Sequence, residues 1–461
     1  MSVLAAFMVP HPPMIVPEVG KGTEKQIRET TLAYTRAAGE AAALKPDTVI
    51  ITSPHAVMYA DYFHISPGRG AAGSFRQFRA PGVRFSEAYD TELVERLCAL
   101  AEAEGFPAGT LGERDAALDH GTMVPLWFLR EKYAGGKLVR IGLSGLPLTE
   151  HYRLGQLIAR AVEDTGKRAI LIASGDLSHK LQEYGPYGFA PEGPEYDRRI
   201  MDVCARAAFG ELFDFDERFC EKAAECGHRS FVIMAGVFDG LRVKAKALSH
   251  QDVTGVGYGI CTFYPDGEDA NRHFLKAYQE KKTRECLEKA AKSDAYVKLA
   301  RASVEAWVLR REQLPLPEGL PEEMLSRRAG TFVSLHKNGQ LRGCIGTIAA
   351  TRRSVAEEIL QNAVSACSRD PRFSPVTADE LASLEISVDV LGELEPVESP
   401  GELDVKRYGV VVSHGRKRGL LLPNLEGVDT VEEQIRIARQ KGGIGESEPC
   451  RLERFEVVRH Y

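Results

Sequence analysis

Val3-Leu4-Ala5-Ala6-Phe7-Met8-Val9-Pro10-His11-Pro12-Pro13 is an apolar run that ends at a histidine fenced by prolines. The seven residues before Pro10 read as a strand, and nothing polar interrupts them. The pattern recurs where Thr48-Val49-Ile50-Ile51 runs into Ser53-Pro54-His55-Ala56. Pro12 pushes His11 toward an extended backbone, and Pro54 does the same for Ser53, so both turns are stiff. In an open α/β sheet, ligands gather in the crevice beyond the carboxyl ends of the strands. Two histidines delivered there by two strands read as two legs of a metal site.

Working outward, strand-like runs at 2–9, 47–52, 137–143, 168–174, 241–248 and 255–264 alternate with helical patterns at 22–43, 90–105, 151–166, 194–208 and 218–237. That alternation predicts an α/β domain over 1–265, a mostly parallel sheet covered by helices on both faces. Residues 266–294 turn polar and charged, as a solvated linker or a bridging helix would. Residues 295–461 then read as a separate α+β domain: helix 295–312, a hairpin at 330–337 and 340–349, helix 353–366, strands 383–392, 408–413 and 418–422, and helix 430–440.

Composition excludes several classes. The chain has 461 residues, 44% hydrophobic and 27% charged, with a formal charge of -6, which offers no electrostatic case for nucleic acid or an anionic membrane. No apolar run reaches the roughly 18 residues that a membrane span needs. The first apolar stretch lacks a preceding basic segment and runs straight into His11, so it reads as a strand and not as a signal peptide. Nine cysteines without paired spacing do not make a disulfide framework, and a reducing cytoplasm is the expected location.

Further polar residues belong to the same crevice. His179 follows the strand 168–172 in Ser174-Gly175-Asp176-Leu177-Ser178-His179. His120 sits in Leu118-Asp119-His120-Gly121-Thr122, a loop-like segment ahead of an apolar helix. Glu225-Cys226-Gly227-His228 opens another apolar helix, whose positive end favours both the carboxylate and the thiolate, so either Glu225 or Cys226 is a candidate third, anionic ligand. A lone histidine is more often a hydrogen-bonded structural residue, and His64, His151 and His273 are read that way. Cys98, Cys204, Cys220, Cys261 and Cys286 read as small buried hydrophobes.

The segments 8–22, 51–56, 118–126 and 174–181 resemble the class III extradiol ring-cleavage dioxygenases, of the protocatechuate-dioxygenase catalytic-subunit type, and their Memo relatives. Leu341-Arg342-Gly343-Cys344-Ile345-Gly346, with Asp370-Pro371-Arg372-Phe373, Leu421-Leu422-Pro423 and Lys441-Gly442-Gly443-Ile444, resembles the AMMECR domain. The combination is similar to the AmmeMemoRadiSam system family. The resemblance implies a non-haem iron(II) centre held by His11, His55 and Glu225 or Cys226, with zinc or copper as alternatives. It implies His179 as acid–base catalyst and His120 as a group that orients or polarises substrate or oxygen. It also implies a small-molecule substrate of aromatic-diol type and a radical S-adenosylmethionine protein as partner. Extradiol dioxygenases of this class carry glutamate as third ligand and Memo-type proteins cysteine; this chain has both side by side, and alignment on Cys-Gly favours Cys226.

Three functions follow as expectations: an oxygenase-like metalloenzyme, a Memo-like scaffold that holds metal without turnover, or a zinc-type hydrolase. In the second domain Gly343 and Gly346 frame Cys344 so that backbone approaches closely to something. Arg342 and Cys344 then line either a substrate groove or a purely structural turn.

Overall fold

Strand Val3–Val9 lies inside a six-stranded sheet ordered Lys137–Gly142, Thr48–Ser53, Ala169–Ser174, Val3–Val9, Tyr258–Glu268, Leu241–Gln251. The computed structural model describes residues 3–114, 117–337, 339–425 and 427–461. The first four strands of that order run parallel, and the last two join them antiparallel as a hairpin. Thr48–Ser53 and Ala169–Ser174 are buried along their whole length, which is why their sequences show no polar alternation. Ala5, Phe7 and Val9 pack toward helices Arg28–Ala43 and His120–Arg130, while Ala6 and Met8 pack toward Leu148–Thr165 and His228–Val237. Burying each large aliphatic side chain contributes about 1.5–3 kcal/mol, so both faces hold the helices that cover them. The mostly parallel, doubly covered sheet expected from the sequence is present.

Two local expectations change. The single helix read over 218–237 is two, Glu217–Ala223 and His228–Val237. Ala224 takes a left-handed conformation (φ 53°) that ends the first, and the break between them carries Glu225 and Cys226. The helix read from residue 22 begins as a 3-10 turn, Thr23–Ile27, before Arg28–Ala43. The hairpin Gly70–Phe75 with Ala80–Ala88 was not legible, because its strands are half exposed and carry glycine and proline.

The chain divides into two compact units, one ending at Tyr278 and the other beginning at Gln279, inside helix Phe274–Lys292. Within 266–294, residues up to Glu268 belong to the strand Tyr258–Glu268 and Phe274–Lys292 is helical. The second unit is an antiparallel sheet ordered Gln340–Gly346, Thr331–Lys337, Leu384–Leu391, Arg451–His460, Tyr408–His414, Lys417–Leu421, with helices Ala295–Arg310 and Val355–Ser368 packed on it. Strand Arg451–His460 escaped the sequence reading because charged residues break its apolar alternation. Among the described residues no helix is long and apolar enough to cross a membrane, and the nine cysteines are free thiols.

Candidate metal centre

Strands Thr48–Ser53, Ala169–Ser174 and Val3–Val9 are neighbours and parallel, so their carboxyl ends open on one crevice. His55, the Asp176–His179 segment and His11 arrive there from three adjacent strands. Cys226 comes from the opposite side, at the helix break. A Cβ added to Gly175 would fall 2.1 Å from Gly227 Cα, so only a glycine lets the Asp176 loop lie against the Cys226 segment. His11 Nε2 stands 3.0 Å from His55 Nε2 and 3.6 Å from Cys226 Sγ. These three donor atoms lie within 4.8 Å of one another, the one such group of metal-binding side chains among the described residues.

The tautomer of His11 is set by a proline two elements away. Pro125 sits inside helix His120–Arg130 and has no N–H to offer the carbonyl four residues back, Gly121. That carbonyl accepts the Ser174 hydroxyl instead, at 2.6 Å. Ser174 Oγ is then free to accept from His11 Nδ1–H at 2.9 Å. With the proton on Nδ1, the Nε2 lone pair faces His55 and Cys226, the orientation a ligand needs.

Burial, reinforced by the neighbouring His55, lowers His11 to about 3, and burial with His55 lowers His120 to about 4. Burial also lowers His55. The three imidazoles are therefore neutral at pH 7, with lone pairs available. Burial pushes the Cys226 thiol well up, and the Asp176 and Glu225 carboxylates add to it. Its proton leaves when a cation takes its place. On one tetrahedral ion, two imidazole nitrogens at about 2.0–2.1 Å stand about 3.3 Å apart, and nitrogen and sulfur about 3.5 Å with sulfur at about 2.3 Å. The observed 3.6 Å agrees with the second, and the observed 3.0 Å is a few tenths of an ångström shorter than the first. Two imidazoles and a thiol fit a divalent transition metal.

Residues 5–261 match the family model described as the catalytic LigB subunit of aromatic ring-opening dioxygenase, and residues 297–460 match the AMMECR1 model. The chain belongs to the LigB family. Its second domain is an AMMECR1 domain. A Clostridium acetobutylicum protein is 41% identical over 469 residues, covering 100% of this chain and 99% of its own length. A Thermotoga maritima protein is 50% identical over 167 residues, 36% of this chain and 96% of that protein. A Pyrococcus horikoshii crystal structure matches 36% of this chain and 88% of its own at 28% identity, with a TM-score of 0.33.

Within the LigB domain the remaining predicted residues separate. Glu225 does not join the donor group: its half-buried carboxylate accepts the His228 N–H at 2.6 Å and satisfies the start of helix His228–Val237. The structure thus brings Cys226, and not Glu225, to the two imidazoles. His120 is the first residue of its helix and not part of a loop, because Asp119 caps it, accepting from Thr122 N–H at 3.0 Å. Its ring lies 4.0 Å from that of His55 and 5.4 Å from that of His11, centre to centre. His179 Nδ1 bonds the Ala224 carbonyl, which leaves Nε2 as the free nitrogen, 4.0 Å from Asp176 Oδ2.

Asp176, a residue to which the sequence pattern assigns no role, reaches the same crevice. Its carboxylate accepts the His11 backbone N–H at 2.7 Å, and its own N–H points at Cys226 Sγ, 3.3 Å away. A carboxylate between a strand end and a predicted catalytic histidine was the available signal. His250 pairs with Asp197 at 2.7 Å, and Asp197 also accepts the Ser178 N–H at 2.8 Å, which braces the His179 loop. His64 and His151 bond backbone carbonyls, as structural histidines do.

In the AMMECR1 domain, Arg342, Gly343, Cys344 and Gly346 lie on the edge strand Gln340–Gly346. An edge strand exposes unpaired backbone groups. At Cys344 these are closed by one fork: the N–H donates to Asp370 Oδ2 at 2.9 Å, and the carbonyl accepts Arg372 at 3.2 Å. The Cys344 sulfur accepts the Ser334 hydroxyl at 3.2 Å. Arg342 holds Glu380 through two bonds of 3.0 and 2.9 Å and the Ser374 carbonyl at 2.8 Å. A Cβ on Gly343 would meet the Ala366 carbonyl at 2.3 Å, so the glycine admits helix Val355–Ser368. Arg342, Arg372 and Glu380, besides making these contacts, line an open groove of about 570 Å³ together with Lys337 and Phe373.

Proposed function

We propose that the LigB domain is a non-haem iron(II) enzyme of oxygenase type, with His11, His55 and Cys226 as the metal ligands and a small aromatic diol as substrate. The observation that carries this reading is the pair of imidazole Nε2 atoms 3.0 Å apart with a thiol beside them, in the crevice of a LigB fold. Iron(II) with three protein ligands supplies open positions for a chelating substrate and dioxygen. A thiolate donor also suits zinc or copper, so the metal itself is the first thing to measure.

The chain's own residues supply the proton chemistry. His179 donates Nδ1–H to the Ala224 carbonyl, and its Nε2 is the acceptor for a proton from a substrate hydroxyl. Asp176, 4.0 Å from that nitrogen, favours the imidazolium once formed. The Ala224 carbonyl lies two residues before Cys226, so the base and the metal ligand are fixed by one turn of backbone. His120, neutral and with its ring tilted 31° to that of His55, presents a ring nitrogen to whatever binds at the mouth of the crevice. Phe78, 5.4 Å from the His120 ring, and Tyr187, 5.2 Å from the His179 ring, provide aromatic surface on either side. A radical S-adenosylmethionine protein as physical partner belongs to the same reading, and co-purification tests it.

Anaerobic purification with metal analysis, followed by nitric oxide titration read by electron paramagnetic resonance, tests the assignment. About one iron per chain and a high-spin iron–nitrosyl signal are expected. Tightly held zinc would favour the hydrolase, and a metal without any oxygen- or water-dependent turnover the scaffold.

A further inference from the structure

Behind the metal centre, on the face of the sheet covered by helices Arg28–Ala43 and His120–Arg130, lies a cavity of about 20 Å³. Phe7 and Val9 from the first strand and Ile172 from its parallel neighbour form its floor. Ala37, Ala38 and Ala41 form one wall, and Pro125 and Leu129 the other. The space exists because three alanines on one helix stand where longer side chains would fill it. Its position is tied to the centre at three points. Val9 is two residues before His11, Ile172 two before Ser174, and Pro125 is the residue whose missing N–H frees the Gly121 carbonyl.

The chemistry of the wall selects the occupant. Its side chains are hydrocarbon except for Tyr34, which is 3% exposed, stacks on Phe128 at 4.0 Å, and has a hydroxyl without a hydrogen-bond partner among the described residues. A volume above about 10–15 Å³ admits one molecule of water size, and an aromatic ring is far too large. A buried water needs about two to four polar partners, and this wall offers one hydroxyl at most. A small molecule without hydrogen-bonding demands is the better match.

We propose that this cavity binds one molecule of a small apolar gas, dioxygen, directly behind the His11–His55–Cys226 cluster. The identity of the gas rests on the oxygenase reading; the existence of the gas site does not. Binding is non-covalent. The adjacency places an apolar site for the co-substrate beside the centre, since dioxygen partitions favourably into apolar surroundings.

Crystals of the full chain pressurised with xenon test the site. An anomalous peak is expected among Val9, Ala37 and Leu129, lost in Ala37→Val and stronger in Leu129→Ala. No peak in the native protein, or an ordered water bonded to Tyr34 in its place, overturns the proposal. On the iron(II)-loaded protein, oxidation by dissolved dioxygen is expected to slow several-fold in Ala37→Val; an unchanged rate with the xenon peak lost overturns the dioxygen assignment. A chain that holds no iron yet shows the xenon peak breaks the oxygenase reading and leaves the gas site standing.

Discussion

Cys226 and Cys344 stand in similar company: each is next to a glycine, and each has a carboxylate within two hydrogen bonds. Their surroundings differ in what is left unsatisfied. At Cys344 the backbone N–H, the carbonyl and the sulfur are taken by Asp370, Arg372 and Ser334. At Cys226 the sulfur faces the Nε2 atom of His11, and that nitrogen faces a second one. A carboxylate–guanidinium fork that closes a strand edge is complete in itself. At the histidine pair only one ring can donate an Nε2 proton to the other, and a cation between them engages both nitrogens and the sulfur at once. The difference comes from topology: adjacent parallel strands point their carboxyl ends at one crevice, whereas an antiparallel edge strand meets only the loop that covers it.

The comparison breaks most readily at the histidines. His11→Ala and His55→Ala should each abolish stoichiometric metal binding, with the helical circular dichroism retained; metal analysis of the purified variants checks this. Full occupancy in the double variant would remove the assignment.

Acid should separate the two domains of the metal-free protein. His11 and His120 are neutral in the folded state, with values near 3 and 4, but take protons in the unfolded chain below about 6.5. The unfolded state therefore binds more protons as pH falls, and the LigB domain loses stability from about pH 6.5 toward pH 4, by up to about 1.4 kcal/mol per pH unit per histidine. Asp370 is held at about 2, chiefly by its hydrogen bonds from Arg372. At Glu380 burial pushes upward, but Arg342, the Thr377 N–H and Lys337 outweigh it and bring it to about 2. Those carboxylates stabilise the AMMECR1 domain above about pH 4, and the contribution is lost between about pH 4 and pH 2. Two acid transitions in domain-resolved hydrogen exchange are expected, the LigB domain first; a single transition below pH 4 would contradict the burial of neutral imidazoles.

Among single residues near the metal, Cys226→Ser should weaken binding more than Ser174→Ala, for which about ten- to hundredfold is expected because the His11 tautomer is no longer fixed. Glu225→Gln should leave metal affinity unchanged and cost about 1 kcal/mol of stability through the helix start. Isothermal titration with zinc or iron(II) distinguishes them. Asp370→Asn, in the other domain, should likewise leave metal content unchanged, with a loss of about 1–2 kcal/mol at pH 7 that the solvent-exposed Arg372 partner keeps modest.

Much of the scaffold was legible in the chain. The unbroken apolar runs at Val3–Val9 and Ala169–Ser174 mark strands buried on both faces, and Pro10 and Pro54 mark where Val3–Val9 and Thr48–Ser53 stop. His11, His55 and the His179 segment could be placed at strand ends on that basis alone. Asp176 was visible and passed over, because a carboxylate beside a glycine is an ordinary turn until its partner is known. Strand Arg451–His460 and the hairpin at 70–88 were hidden, since charge and glycine mask a period of two.

The amino-acid sequence by itself determined the elements, their order and the stiffness of the turns, because propensity, periodicity and the proline constraint act over a few residues. Only the tertiary structure decided which of Glu225 and Cys226 stands beside the two imidazoles, and which nitrogen of His11 carries its proton. Those outcomes depend on hydrogen bonds between groups such as His11 and Ser174, separated by 163 residues. Such a bond is written nowhere in the local chain, and its partner is known only when the strands have taken their places in the sheet.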